Sequence, residues 1–84
     1  DTVFLVNRGD ISMTDMKSSN DIKASTQKGN INYHFGEKPK NTLLKLHPGH
    51  GNKEIKNRYF DKGKVGNSDN ILEFYTVDGD IIIE

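Results

Sequence analysis

Apolar residues in this chain recur at every second position, in short runs broken by polar turns. Ile11 and Met13 alternate with Ser12 and Thr14. Ile22, Ala24 and Thr26 alternate with Lys23, Ser25 and Gln27, and Ile31, Tyr33 and Phe35 with Asn32 and His34. Leu72, Phe74 and Thr76 alternate with Glu73 and Tyr75, and Ile81 and Ile83 face one side. Successive side chains of a strand point to opposite faces, so period two marks a half-buried strand. Residues 3–6 and 43–46 read as further strands, the latter without a definite register, and residues 55–60 as another. Nowhere do apolar residues recur at helical spacing over three turns. Gly, Asn, Ser and Thr are also too dense to sustain a helix. The predicted fold class is all-β, in one domain over residues 1–84.

Three of the breaks share a phrase. Val6-Asn7-Arg8-Gly9-Asp10-Ile11, Thr26-Gln27-Lys28-Gly29-Asn30-Ile31 and Thr76-Val77-Asp78-Gly79-Asp80-Ile81 each lead one alternating run into the next. Two architectures accommodate such a unit. Asp78-Gly79 between alternating runs is a strong hairpin signal, and hairpins would build an antiparallel β-sandwich. Alternatively each phrase is the corner of a β-solenoid. Gly29 follows Gly9 by 20 residues, and the next equivalent turn lies within residues 49–52. A period of about 20 residues suits a coil of two short strands and two turns. The spacing therefore favours a solenoid of about four coils, with Ile11, Ile31 and Ile81 stacked on one interior wall. Asn20-Asp21-Ile22 and Asp69-Asn70-Ile71 become turns on the opposite edge, and residues 61–70 an insertion.

Composition narrows the picture. With 84 residues and 32% hydrophobic content the core must be thin. No cysteine is present, which excludes disulfides and thiolate metal sites. The longest apolar run is Val3-Phe4-Leu5-Val6, far below the roughly 20 residues of a membrane span. Strand-like sequence at both ends leads us to expect a fragment of a longer protein. The net charge of zero conceals a segregation. Residues 36–66 carry eight basic and three acidic side chains, whereas residues 67–84 carry five acidic and no basic ones. A basic middle can steer an anionic partner, although Lys at loops and strand edges also guards against aggregation.

Residues 26–31, Val65-Gly66-Asn67 and residues 72–83 carry short phrases that resemble the bacterial putative-adhesin family of uncharacterised domains. The resemblance implies a right-handed β-solenoid with stacked Ile and Val inside, often in an envelope-associated protein, and supplies no catalytic residues. Residues 47–55 depart from the pattern, lacking the Thr and the compact Gly-[Asp/Asn]-Ile turn.

Several residues invite a chemical reading. Lys56, Arg58 and Tyr59 form the best candidate for an exposed binding patch, with aromatic stacking beside cationic groups. His47 and His50 bracket Pro48-Gly49 and are the candidates for a metal pair, yet structural zinc needs about four ligands. Asp10, Asn30 and Asp80 follow equivalent glycines and would align as oxygen ligands for Ca²⁺; the simpler reading is that they satisfy turn backbone groups. Arg8-Gly9-Asp10 spells an integrin-recognition tripeptide, but copies of the same turn lack the Arg. No nucleophile elbow, phosphate-cradling loop or paired-carboxylate cleft is evident. The expected function is a non-catalytic structural or adhesive module of a bacterial cell envelope. It needs no cofactor and engages a protein, a cell-surface polymer or a second copy through open ends, rather than nucleic acid. The alternatives are a metal- or carbohydrate-dependent enzyme using His47 and His50, and an intracellular regulatory sensor.

Overall fold

A computed structural model describes residues 2–84. The strands are β1 (Thr2–Arg8), β2 (Ile11–Met16), β3 (Ile22–Lys28), β4 (Ile31–Phe35), β5 (Thr42–His47), β6 (Lys53–Ile55), β7 (Lys64–Val65), β8 (Asn70–Asp78) and β9 (Ile81–Ile83). Among the described residues there is no helix, as the alternation predicts. The strands form two open sheets, the first in the order β1-β3-β8-β5-β7 and the second in the order β2-β4-β9-β6.

Each phrase carries the chain from the first sheet to the second. Gly9-Asp10 joins β1 to β2, Gly29-Asn30 joins β3 to β4, and Gly79-Asp80 joins β8 to β9. These junctions are therefore corners, and the antiparallel sandwich is not formed. Neighbouring strands pair in parallel throughout both sheets, except β7 on β5. The predicted solenoid of successive coils is not formed either, because spatial order and chain order part after the second corner. β8 lies between β3 and β5, and β9 between β4 and β6.

Two physical features account for the interleaving. The third copy of the phrase matches the second at every functional position, so its corner fits directly on Gly29-Asn30. The Asn30 Oδ1 accepts from the Asp80 N–H at 2.8 Å, and the Thr76 hydroxyl donates to the Gly29 carbonyl at 2.9 Å. These repeat the bonds one step earlier, Asn30 N–H to Asp10 Oδ1 at 2.8 Å and Thr26 hydroxyl to Gly9 O at 3.0 Å. The irregular corner of residues 48–52 takes the outer place, where Asn52 N–H donates to Asp80 Oδ1 at 2.9 Å. Charge acts in the same direction. The acidic strand β8 sits between the Lys-bearing strands β3 and β5, with Glu73 in register with Lys23 and Lys45.

One core fills the space between the sheets. Ile11, Ile31 and Ile81 do stack in register, and the last two are fully buried. The row Met13–Tyr33–Ile83–Ile55 runs beside them. Facing it, the first sheet presents Phe4, Ala24, Phe74 and Leu46 in one row and Ile22, Leu72 and Leu44 in another. Rings cross the interface, with Tyr33 and Phe74 centroids 5.5 Å apart. On the opposite edge, Asp21 Oδ1 accepts from Ile71 N–H at 2.6 Å, and the Asn41 carbonyl from Asn70 N–H at 3.0 Å.

The strand predicted over residues 55–60 ends at Ile55. Its partner β9 stops at Ile83, whose carbonyl accepts from Lys56 N–H at 2.7 Å as the last rung of that ladder. Beyond it the backbone turns across the end of the stack. There Phe60 packs against Phe35 with centroids 5.7 Å apart. The β5–β6 end is thereby partly covered. At the other end β1 exposes Val3, Phe4 and Leu5.

One polar atom is out of place in the core. The Tyr33 hydroxyl is buried without a hydrogen-bond partner. Burial pushes its phenol up, and nearby Asn20 offsets this only in part. An unsatisfied buried hydroxyl is costly, and removing it costs little. Tyr33→Phe is therefore expected to leave stability unchanged or raise it by about 1 kcal/mol. Urea unfolding at constant m-value reads this directly, and a loss beyond 1 kcal/mol would contradict it.

Candidate functional site

The outer face of the first sheet gathers the groups best placed to meet a ligand. Alternation that buries Leu72, Phe74 and Thr76 turns Glu73 and Tyr75 outward on β8. Parallel register then aligns them with neighbours from three other strands. One outward row reads Val3, Lys23, Glu73, Lys45, and the next reads Leu5, Ser25, Tyr75, His47. The His47 and Tyr75 rings stack with centroids 4.6 Å apart and planes 10° from parallel. The Lys23 ammonium lies 5.8 Å from the Tyr75 ring centre, within range of cation–π attraction.

The two rows are tied together. The Tyr75 hydroxyl donates to Glu73 Oε2 at 2.5 Å. That bond holds the Glu73 carboxyl below its ordinary range, helped by Lys23, Lys45 and His47. The same bond pushes the Tyr75 phenol up, so the hydroxyl keeps its proton as donor. Beside the rows a groove of about 300 Å³ runs over Val3 and Ile71 between Lys23, Lys45 and Glu73. The arrangement is a flat aromatic platform next to a groove where two cations, Lys23 and Lys45, meet two carboxylates, Glu73 and Asp21, the latter accepting the Ile71 N–H. Such a surface can stack a ring, order a charged chain and discriminate by sign.

Of the residues singled out in the sequence as candidate ligands, His47 belongs to this face, and the others lie elsewhere. Arg58 and Tyr59 meet in the loop after β6, where an Arg58 Nη2–H donates to the Tyr59 hydroxyl at 3.4 Å. The guanidinium carbon is 5.3 Å from the ring centre. Lys38 completes this group, its Nζ 5.1 Å from the same ring. The Arg58 hydrogen bond and charge, with a smaller contribution from Lys38, hold the Tyr59 phenol down. Lys56 is exposed in the same loop, and its side chain joins neither partner. His47 and His50 take different partners, His47 the Tyr75 ring and His50 the Asp78 carboxylate at 2.7 Å between Nδ1 and Oδ1. Among the described residues no group of three or more His, Cys, Asp or Glu is placed to hold a metal ion. Asp10, Asn30 and Asp80 do align along one edge, and one side-chain oxygen of each accepts a backbone N–H of the neighbouring corner. Asp10 of the Arg8-Gly9-Asp10 tripeptide is engaged in that way.

Sequence reasoning missed Lys23, Lys45 and Glu73, and counted Tyr75 only as one of several aromatics able to stack a ring. Their outward parity was readable from the alternation. Their convergence depends on β8 lying between β3 and β5, which spacing along the chain does not reveal. Comparison with protein families, characterised proteins and solved structures yields no match.

Proposed function

We propose that this domain is a non-catalytic recognition module, structural or adhesive in its work, that holds an extended anionic polymer against the outer face of its first sheet. The observation that carries the reading is the stacked His47–Tyr75 pair set beside Lys23 and Lys45. Aromatic faces stack on sugar rings or other flat groups, and two lysines in one register row match acidic substituents along a chain. The partner class in this reading is a cell-surface polymer. The phrases shared with the bacterial putative-adhesin family favour an envelope setting, and that likeness rests on the quoted residues alone. The four aligned corners are then the rigid wall that joins the two sheets. β1 is the edge through which a second copy pairs, since residues 2–7 are uncharged and expose Val3, Phe4 and Leu5.

Binding to a panel of anionic wall polysaccharides and to their neutral counterparts tests the reading. The expected result is saturable binding to an acidic polymer that Tyr75→Ala weakens tenfold or more, while the circular dichroism spectrum stays that of the parent. Retention on none of the panel, or full binding by a folded Tyr75→Ala variant, would remove the outer face from consideration.

A further inference from the structure

The second-sheet row that begins Ile11, Ile31, Ile81 ends on Lys53. Register places Lys53 beside Ile81 at the outermost strand β6, so a lysine occupies the position where every other rung carries a core isoleucine. A break in an otherwise consistent pattern is where function is expected to override packing. Lys53 opens onto a mouth of about 370 Å³ between the two sheets, within the range of small-molecule pockets. Leu44 and Leu46 of β5, Ile55 of β6 and Phe60 of the covering loop line its inside, and Lys62 joins Lys53 at the rim. Phe60 is held on its far side by Phe35.

The charges around the mouth are of one sign. No acidic side chain lines it. Glu54 alternates to the opposite face of β6. Asp61 is not among the residues that line it. His50–Asp78 is the one contact at salt-bridge distance between side chains of the described residues, so the Lys53 and Lys62 ammonium groups are without carboxylate partners. A lysine stem lies along apolar surface while its head stays at the rim. The mouth therefore offers an apolar interior capped by two cations.

We infer that this mouth binds an amphipathic anion, an acyl chain of medium length ending in a carboxylate. The chain lies against Leu44, Leu46, Ile55 and Phe60, and the carboxylate sits between Lys53 and Lys62. The inference is independent of the polymer reading above, which concerns the opposite surface of β5.

Titration with decanoate below its micelle concentration, followed through the methyl resonances of Leu44, Leu46 and Ile55, is the test. Saturable shifts confined to these methyls are expected. Decyltrimethylammonium, with the same chain and the opposite charge, is expected to bind at least tenfold more weakly. The double variant Lys53→Gln/Lys62→Gln should lose tenfold or more in decanoate affinity without a change in unfolding midpoint. Absence of saturation, shifts centred on the Tyr75 face, equal binding of the cationic amphiphile, or undiminished binding by the double variant would each overturn the inference.

Discussion

Gly79→Ala is expected to prevent this domain from folding. Each corner of the stack lies against its neighbour through bare backbone. A Cβ built on Gly79 would fall well inside contact distance of the Gly29 carbonyl oxygen, with the carbonyl carbon 2.6 Å away. That carbonyl also accepts the Thr76 hydroxyl at 2.9 Å. It cannot swing aside without breaking the bond and the Asn30–Asp80 contact next to it. A flexible side chain would yield to one methyl group, whereas a backbone rung held on both sides must move two strands. Costs above about 4 kcal/mol arise from such collisions, against a total stability of about 4–13 kcal/mol for a chain of this length. Far-UV circular dichroism and amide dispersion should show an unfolded or aggregated chain at 25 °C. A cooperative transition within 1 kcal/mol of the parent would show that the corners do not pack as described.

Gly9→Ala provides the matching control. It alters the same phrase, but the nearest atom to the added Cβ is a Val6 methyl carbon at 3.9 Å. What remains is the backbone, since Gly9 has a φ of 128°, which L-residues rarely adopt. Strain of that kind costs about 1–3 kcal/mol, so this variant folds with a lowered midpoint. Three copies that look alike in sequence thus differ in tolerance according to whether another corner lies beneath them.

The alternation of apolar residues makes the strands and their buried faces legible, because period two follows from backbone geometry and each buried residue declares its own side. The shared phrase likewise makes the corners legible. Gly, Asx and Thr each answer a local demand for close approach, an acceptor or a donor, and the 20-residue step between Gly9 and Gly29 reappears as the Asn30–Asp10 bond. Strand order is less legible, because a parallel rung can be inserted within the stack, whereas chain order would place β8 outside β5. Two clues were present. The phrase of residues 76–81 fits Gly29 better than that of residues 48–52, and the acidic end of the chain complements its basic middle. The outer-face site inherits this difficulty. Glu73 and Tyr75 meet Lys23, Lys45 and His47 only after β8 is inserted. By contrast, Arg58 and Tyr59 are chain neighbours and were visible at once, while Lys38 came to them through the fold.

Phe74→Ala is the second substitution expected to act severely, and for a different reason. Phe74 is fully buried at the centre of the row Phe4–Ala24–Phe74–Leu46. Its neighbour toward β3 is Ala24, too small to move into a vacated volume. Across the core its ring meets Tyr33 at 5.5 Å, and Tyr33 is itself braced by Phe35 at 5.0 Å. The cavity left by the ring therefore has rigid walls, and the surroundings relax little. Phe→Ala changes in such sites cost about 3–5 kcal/mol. For a domain of this size that corresponds to a fall in Tm of more than about 12 °C. Phe74→Leu keeps most of the volume and should recover over half of the loss. Leu5→Ala removes an equally apolar side chain that is 77% exposed, and is expected to change stability by less than about 0.5 kcal/mol. Thermal unfolding of the three variants at one concentration separates burial from hydrophobicity. A Phe74→Ala loss no larger than that of Leu5→Ala would mean that the two sheets do not share a packed core.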